Sequence, residues 1–501
     1  MESLEGARWH RMIYVLLEGH EIKQDLIELF RILFMDKEIN YIDKFEKYPG
    51  KGILLKNSLF QEGQNTFAKT ELYIDGILRK DSIENINQIQ VYRDSFDKDI
   101  RVGIKKSLID VLKSSDNKIP WGILTGIRPV KIIHDLINKD INDEEIIRVM
   151  TEEYKLNLDK AKSILNIGKK QREYIYPLNK DKFSLYISIP FCPTRCLYCS
   201  FPSLPIDKYD DIVKEYVDKL IYEIKSIGEL MKGKDINTVY IGGGTPTAIP
   251  PKELERIIDR VYLTFGEENI REFTVEAGRP DTITREYLEM LNKNKIVRIS
   301  INPQTMNDKT LKLIGRQHTS EDIIKTYNMA RSIGFKSINM DLIIGLPGEG
   351  LKEIRNTLNE IEKLNPDNLT IHTLSVKRGS KFKDTMDKYP LESSQILREM
   401  LEETEKFAKC AGFQPYYLYR QKQTLGNLEN IGYGKEEMEC IYNISMMEEK
   451  ETIIGAGMGS VSKIFIAEKD KIKRVANFKG LRDYMLRVDE LITKRKDIID
   501  N

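Results

Sequence analysis

The chain has 501 residues, 41% of them hydrophobic and 31% charged, the composition of a soluble globular protein too long for one ordinary domain. Its 79 basic residues are balanced by 78 acidic ones, which does not favour nucleic acid as a partner, and no apolar run approaches the roughly 18 residues of a membrane span. The N-terminus has no secretory hydrophobic segment, and five cysteines, three of them clustered, do not form a disulfide framework. We therefore expect a cytoplasmic protein with reduced thiols.

The first part of the chain, residues 1–178, has its own pattern. An apolar strand (Met12–Leu17) precedes a helix (Ile22–Phe34), and short alternating segments such as Thr70–Ile77 come before helical stretches rich in Lys, Glu and Ile. This pattern predicts a separate α+β domain, whose role no motif indicates. The segment Tyr174–Lys182 contains a proline and several charges, and it indicates the boundary.

Residues 179–392 change to short strands that alternate with helices. Such alternation predicts parallel βαβ units, and six units fit a partial (β/α)6 barrel, an α/β fold, better than a complete eight-unit barrel. A charged helix (Ser393–Cys410) follows, and we expect residues 393–501 to form a small helical and loop element packed on the barrel. The six predicted strands are Leu185–Phe191, Thr238–Ile241, Glu272–Ala277, Arg298–Ile301, Ser337–Ile344 and Leu369–Ser375.

Three cysteines follow the first barrel strand directly. The sequence IPFCPTRCLYCS places Cys192, Cys196 and Cys199 as C-x3-C-x2-C at the end of the strand where barrels build active sites. Thiolates suit both iron–sulfur clusters and zinc, but a structural zinc site usually has four ligands and no fourth Cys or His lies nearby. Three cysteines leave one iron of a 4Fe–4S cluster open to the amino and carboxylate groups of S-adenosylmethionine (SAM). Zinc, and three free cysteines, are the alternatives.

Polar and glycine-rich segments follow the next strands. The segment IGGGTPT after the second strand exposes backbone N–H groups to a ligand carboxylate, or forms a tight turn. Glu276, after the third strand, is placed to accept hydrogen bonds from a ribose or amino group, or is a solvated carboxylate. Gln304, Arg316 and Asp341 follow the fourth and fifth strands, so all these residues fall at the same end of the barrel.

Other reactive side chains have simpler interpretations. Cys410 lies in the apolar pattern of a helix, and Cys440 lies in a mixed loop, so we interpret both as packed side chains. His372 lies on the sixth strand, where a packed and a catalytic role both remain open.

From about Leu185 to about Lys463 the chain resembles the oxygen-independent coproporphyrinogen III oxidase group of radical SAM proteins. The N-terminal domain and the segment YYLYRQKQTLGNLENIGYG make it most similar to the HemZ-type coproporphyrinogen dehydrogenases within that group. The motifs that carry the resemblance are YISIPFCPTRCLYCSF, GGGTPT, VEAGRP, RISINPQTMND, IGRQHT, DLIIGLPGE, LNPDNLTIHTLS and IIGAGMGSVS.

The resemblance implies roles for individual residues. Cys192, Cys196 and Cys199 match the ligands of the 4Fe–4S cluster. The positions that match contacts to the cluster-bound SAM are Tyr186, Gly243, Glu276 and Val461. The positions that match contacts to a second SAM are Tyr198, Gly244, Thr245, Gln304, Arg316, Asp341 and Ser375.

The implied reaction is oxidative decarboxylation of two propionates of coproporphyrinogen III to vinyl groups, giving protoporphyrinogen IX in haem biosynthesis. A low-potential donor such as flavodoxin or ferredoxin would reduce the cluster, and a tetrapyrrole would be the substrate. The propionates of the tetrapyrrole would pair with basic residues near the rim of the barrel, or these basic residues are solvated surface charges. The residues are Arg279, Lys377, Arg378 and Arg420.

The sequence also departs from the oxidase pattern. Ser188 stands where that pattern has His, Phe201 where it has a fourth, non-ligating Cys, and the region around Tyr442 differs. These differences concern the second SAM and the substrate. They leave two alternatives open, namely a haem-binding delivery protein that retains the cluster and a radical SAM enzyme that acts on haem itself.

Overall fold

The computed structural model describes residues 12–34, 37–92, 95–113, 119–377, 379–389, 391–421 and 424–499. It contains two compact units, one up to Gly168 and the other from Lys169. The predicted boundary at residue 178 lies ten residues after this division. The helix Leu158–Ile175 runs across the division, and the charged, proline-containing segment follows the end of that helix.

The first unit is a mixed sheet with helices. Its five strands have the order β2-β1-β3-β4-β5, in which β1 pairs in parallel with β2 and β3, while β3, β4 and β5 are antiparallel. The elements are β1 (Met12–Glu18), α1 (Lys23–Leu33), β2 (Glu38–Ile42), β3 (Ile53–Glu62), β4 (Asn65–Ile74), β5 (Ile77–Asn85), α2 (Phe96–Leu112), α3 (Val130–Ile137), α4 (Asp143–Arg148) and α5 (Leu158–Ile175), which continues into the second unit.

One predicted strand in this unit is interrupted by a turn. The segment Thr70–Ile77 contains Asp75 and Gly76, both with positive φ (51° and 78°), between the paired residues Ile74 and Ile77. Asp-Gly at positive φ is typical of a two-residue hairpin loop, so the segment is the end of β4 and the start of β5.

The second unit contains an eleven-stranded sheet built on the predicted barrel. Its central strands are parallel and have the order β6-β9-β10-β11-β12-β13, which confirms the partial (β/α)6 barrel. The barrel elements are β6 (Lys182–Ile189), β7 (Phe191–Cys192), β8 (Leu204–Pro205), α6 (Asp210–Leu230), β9 (Asp235–Gly243), α7 (Pro251–Phe265), β10 (Glu272–Val275), α8 (Arg285–Lys293), β11 (Arg298–Ser300), α9 (Asp308–Leu313), α10 (Ser320–Ile333), β12 (Ser337–Ile344), α11 (Leu351–Leu364) and β13 (Asn368–Thr373).

The C-terminal residues extend this sheet at both edges. Predicted as a helical and loop element, residues 393–501 contain five strands: β15 pairs with β13 and with β14, and β16 pairs with β6 and continues into β17 and β18. The outer barrel strands would otherwise have unpaired backbone groups, which this pairing satisfies. The elements are α12 (Ser394–Cys410), β14 (Gln414–Arg420), β15 (Glu429–Gly434), α13 (Ile441–Glu448), β16 (Thr452–Ala456), β17 (Val461–Ile466), β18 (Lys471–Ala476) and α14 (Leu481–Ile499).

Alternation along the barrel strands makes the interior polar. In β12, Met340 and Leu342 are fully buried, whereas Asn339 and Asp341 line an internal cavity. Successive side chains of a strand point to opposite faces, so the apolar set packs outward and the polar set faces the cavity.

At the amino end of the barrel strands, a buried ion pair holds helix α13. The carboxylate of Glu272, the first residue of β10, lies 3.4 Å from Nε of Arg298, the first residue of β11. The same carboxylate accepts the backbone N–H groups of Ile441 and Tyr442 at 3.0 and 3.1 Å. Glu272 therefore satisfies donors that the first turn of a helix leaves unpaired.

Among the described residues, no helix is long and apolar enough to cross a membrane.

Candidate active site

A cavity of about 390 Å³ lies inside the barrel of the second unit. It extends from the cysteine loop at the carboxyl ends of the strands to Arg298 and Cys440 at the amino ends. It brings together nearly all the predicted site residues: Tyr186, Cys192, Cys196, Tyr198, Cys199, Gly243, Gly244, Thr245, Glu276, Gln304, Arg316, Asp341 and Ser375.

Hydrogen bonds to neighbouring loops fix the cysteine loop. The backbone N–H of Leu197 donates to the carbonyl of Ile314 at 2.9 Å, and the carbonyl of Leu197 accepts from the N–H of Phe382 at 3.0 Å. Arg279 donates to the carbonyl and hydroxyl of Thr194 at 3.0 and 2.9 Å, and its guanidinium is paired with Asp281. The loop is therefore held in place by its own backbone, which leaves the thiols to a ligand.

The thiols have the chemistry of cluster ligands. Burial raises the pKa of the Cys192 thiol to about 11, and burial also raises the pKa of Cys199. Such thiols stay protonated without a metal and lose their protons when iron binds. In the described part of the chain, no group of three or more His, Cys, Asp or Glu side chains has the arrangement of a site for a single metal ion.

The glycine-rich turn after β9 packs directly on the cysteine loop. A Cβ atom at Gly244 would lie 2.6 Å from the carbonyl oxygen of Phe191 and 2.9 Å from Sγ of Cys192. Gly243 has φ of 111°, which side chains disfavour. The hydroxyl of Thr245 lies 3.5 Å from Sγ of Cys192. Glycine is therefore required here for the backbone to reach the cysteine loop.

Two carboxylates share the cavity and repel each other. Burial, together with the nearby charge of Asp341, raises the pKa of Glu276 to about 8, against the opposing effects of the Gly243 N–H and Arg316. Burial also disfavours ionised Asp341, but bonds with His372 and Asn339 outweigh it and hold the pKa of Asp341 below its usual value. Two buried carboxylates in one cavity favour the binding of a cation.

Arg316, which lies between Glu276 and Asp341 in the sequence, supplies a buried positive charge to the same cavity. Its Nη1 donates to the carbonyl of Asn302, its Nη2 lies 3.4 Å from the hydroxyl of Tyr198, and its Nε has no hydrogen-bond partner in the described structure. Although burial opposes it, the pKa of Arg316 is raised by Tyr198 and Cys196, so the group stays charged. A buried donor without a partner indicates a ligand that would accept from it.

Gln304 has the strained backbone typical of functional sites. Its φ is 69°, and two backbone hydrogen bonds of 2.9 Å to Asp341 and Ile343 of β12 hold it in place. Left-handed conformations cost energy for a residue with a side chain, and they persist where the surroundings impose them. The strain keeps this part of the cavity wall next to Asp341.

Four tyrosines, of which the sequence predicted only Tyr186, form a tyrosine wall of the cavity: Tyr186, Tyr240, Tyr417 and Tyr419. Tyr186, Tyr240 and Tyr442 are stacked, with ring centroids 6.2 Å apart for the first pair and 4.6 Å for the second. Tyr417 and Tyr419 also line the cavity. Tyr186 and Tyr240 lie on barrel strands, where the alternation of side chains could have predicted that they face the cavity. The approach of α13 and β14 depends on pairing between residues far apart in the sequence, which the sequence does not show.

Other predicted residues lie elsewhere or have partners. Val461 begins β17 and pairs with Ala476 of β18. It is not among the residues that line the cavity. Arg279 is 3% exposed and engaged by Asp281 and Thr194, which removes it as a substrate partner. Arg420 is buried and does not line the cavity, and Arg378 lies outside the described residues.

His372 and Cys440 both line the cavity. His372 lies 3.7 Å from the carboxylate of Asp341 and 3.4 Å from the hydroxyl of Tyr419. Cys440 contacts Glu272 at 3.4 Å, and burial raises its pKa, so it is a packed, protonated thiol at the closed end of the cavity. Cys410 is exposed, so our interpretation of it as a packed side chain was wrong.

Ser188 has a defined structural role where the oxidase pattern has His. Its hydroxyl donates to the carbonyl of Met458 at 2.9 Å, while its carbonyl accepts from the hydroxyl of Tyr216 at 2.7 Å. A Cβ at Gly243 would lie only 2.8 Å from its Oγ. A small residue thus connects the glycine turn after β9 with the turn after β16.

Comparison with known proteins agrees with this site. Residues 186–361 match the Radical SAM superfamily. The chain is 46% identical over 369 residues, 73% of its length and 74% of the relative, to the oxygen-independent coproporphyrinogen-III oxidase-like protein HemZ of Bacillus subtilis. It is 31% identical to the heme chaperone HemW of a Buchnera aphidicola strain, over 60% of this chain and 75% of that one.

A solved structure shows the same fold. Coproporphyrinogen III oxidase (HemN) of Escherichia coli, described as a radical SAM enzyme, superposes with a TM-score of 0.50 at 24% identity, covering 66% of this chain and 77% of that one. The three cysteines around a cavity with two carboxylates and a glycine turn fit the 4Fe–4S cluster and SAM that this family implies. The chain belongs to the radical SAM superfamily and, within it, to the group of oxygen-independent coproporphyrinogen-III oxidase-like proteins.

Proposed function

We propose that the chain catalyses the oxidative decarboxylation of coproporphyrinogen III. The observation that carries the proposal is the continuous cavity, which joins the cysteine loop to Glu276, Arg316 and Asp341. A reaction through a carbon radical needs its substrate near the cofactor and away from water. A delivery protein has no such requirement.

A 4Fe–4S cluster on Cys192, Cys196 and Cys199, with SAM bound, would supply a radical that removes a hydrogen atom from the β-carbon of a propionate. The propionate radical then loses carbon dioxide and gives one electron to a separate one-electron acceptor, and a vinyl group remains. Two such reactions give protoporphyrinogen IX. We propose a low-potential donor such as flavodoxin or ferredoxin for the cluster, and the reducing cytoplasm as the compartment that keeps its thiols free.

The chain's own residues would bind and orient the reactants. Glu276 accepts from the ribose or amino group of SAM, because the cationic ligand favours its ionised form. Arg316, with its unpaired Nε, binds an acceptor deeper in the cavity. The partnered carboxylate of Asp341 and the strained Gln304 would contribute to a site for a second SAM.

Haem delivery is the second candidate. It is supported by the similarity to a heme chaperone, and by Ser188 and Phe201, where the sequence departs from the oxidase pattern. In this structure Ser188 is a structural connector and Phe201 is exposed.

An anaerobic reaction separates the two functions. Reconstituted protein, SAM, a chemical reductant and coproporphyrinogen III should give vinyl-bearing product, with 5′-deoxyadenosine formed faster than without substrate. Arg316→Ala should reduce product formation more than cluster content. Cleavage of SAM at its substrate-free rate, without carbon dioxide and with stoichiometric binding of haem, would establish the delivery function instead.

A further inference from the structure

We propose that Lys377 anchors a carboxylate of the substrate at the mouth of the cavity. This inference rests on the proposed function, because it takes the substrate to be a tetrapyrrole with propionate side chains. It names a residue and a position that the reaction itself does not require.

Lys377 lies in the cavity wall without a carboxylate partner. It lines the cavity together with Cys199, and in the described part of the chain no carboxylate forms an ion pair with its ammonium group. It is half-buried. An ammonium group that has lost part of its water without gaining a partner favours the binding of an anion.

The other basic residues considered for this role differ from Lys377. Arg279 also lines the cavity, but its guanidinium forms a forked pair with Asp281 at 3.0 and 2.7 Å. Arg316 lies deeper and donates to backbone and to Tyr198. Lys377 thus combines a place in the cavity wall, a positive charge and the lack of an acidic partner.

The backbone after Lys377 is fixed on the cysteine loop. Arg195 donates to the carbonyl of Gly379 at 2.7 Å, and the N–H of Phe382 donates to the carbonyl of Leu197 at 3.0 Å. These contacts hold the segment next to the loop that would carry the cluster. A carboxylate held by Lys377 is therefore kept at the same end of the cavity as the cofactor, on the side of Cys199.

Phe201 adds an apolar surface at the same mouth. Its side chain lines the cavity and is 60% exposed. A flat pyrrole ring stacks well on such a surface. An aromatic face and an ammonium group that line one cavity fit a molecule with flat rings and carboxylate arms.

The test uses the reconstituted protein without reductant, so that no turnover occurs. The dissociation constants of coproporphyrin III and of its tetramethyl ester are measured from the porphyrin absorbance. Wild type should prefer the acid by about 10-fold or more, the effect of one hydrogen bond to a charged group. Lys377→Gln should lose this preference, and Lys377→Arg should keep most of it.

The control is Lys383→Gln, which removes the charge of an exposed lysine on the same segment and should leave the preference unchanged. Cluster content, measured in every variant, shows that each one folds. An unchanged acid-to-ester ratio in Lys377→Gln would overturn the anchor even if decarboxylation is observed. A ratio lost in Lys377→Gln, in a protein that does not decarboxylate, would support the anchor and refute the reaction.

Discussion

The two ends of the barrel strands treat buried charge in opposite ways. At the amino end, the carboxylate of Glu272 is engaged by Arg298, by two backbone N–H groups and by the thiol of Cys440. At the carboxyl end, Lys377 has no acidic partner and Nε of Arg316 has no acceptor in the described structure. The amino end therefore has a buried charge that is fully engaged, whereas the carboxyl end has, besides the paired Arg279, charged groups with open donors.

This difference separates stability from function. A buried charge with all its bonds satisfied holds elements together, and here it fixes α13 across the barrel. A buried charge without partners costs folding energy, and a ligand recovers that cost on binding. Substitutions at the two ends should therefore affect different measurements.

The largest effect is expected at the carboxyl end, where Ala at Cys192, Cys196 or Cys199 should abolish the cluster. Three thiols leave no spare ligand, so iron content should fall from about one cluster per chain to none. Cys410→Ala and Cys440→Ala are the controls and should retain it, because one is exposed and the other is bound to Glu272. Stoichiometric zinc without iron after anaerobic reconstitution would contradict the cluster assignment.

At the amino end, Glu272→Ala should destabilise the fold by about 3–5 kcal/mol, the cost of leaving a buried partner charge unpaired. Urea unfolding should show the loss, while the fraction that remains folded should still bind SAM. Glu289→Ala, which breaks an exposed pair with Arg285, is the control and should shift the midpoint little. Loss of SAM binding in folded Glu272→Ala would remove the distinction between the two ends.

Sequence reasoning predicted the carboxyl end well, for a physical reason. Cys192 and Gly243 end strands, Glu276 follows β10 and Asp341 lies within β12. Parallel strands bring such residues to one cavity without knowledge of the packing. Short motifs are sufficient for such residues. The six barrel strands were predicted for the same reason, since each repeats one local pattern.

The amino end and the tyrosine wall required the tertiary structure. Tyr417 reaches the cavity because β14 pairs with β15, and Tyr442 stacks on Tyr240 because Glu272 holds the start of α13. Both contacts join residues far apart in the sequence. The pairing of Arg279 with Asp281, two residues away, could have been predicted from the local sequence. Nothing in the sequence shows that Arg279 also binds Thr194.

The Glu276→Ala substitution should weaken SAM binding by about 1.5–3 kcal/mol, the loss of a hydrogen bond to a charged group. The absorption spectrum of the cluster should stay unchanged, because Glu276 follows β10 and does not lie on the cysteine loop. Glu286→Ala, at an exposed position on α8, is the matched control. Equal SAM affinity in both variants would show that the pocket lies elsewhere.

The last effect is a dependence of stability on pH that Glu276 should give to the cluster-free, SAM-free protein. Its pKa is raised to about 8 by burial and by Asp341 on β12, with Arg316 and the Gly243 N–H opposing. In the unfolded chain a glutamate ionises near its ordinary pKa of about 4.3. Between these two values the folded state holds a proton that the unfolded state has released, so its stability falls as pH rises.

Glu276→Gln removes this proton and keeps the other titrating groups, so the difference in unfolding free energy between variant and wild type isolates the carboxyl group. The variant should gain on wild type from pH 5 to pH 8, by at most about 1.4 kcal/mol for each pH unit. Urea unfolding at several pH values measures it, and saturating SAM should reduce the slope because a cation favours ionised Glu276. Parallel stability curves for the two proteins would mean that Glu276 is ionised throughout this range, and that the carboxyl end lacks the unmet charge that distinguishes it from the amino end.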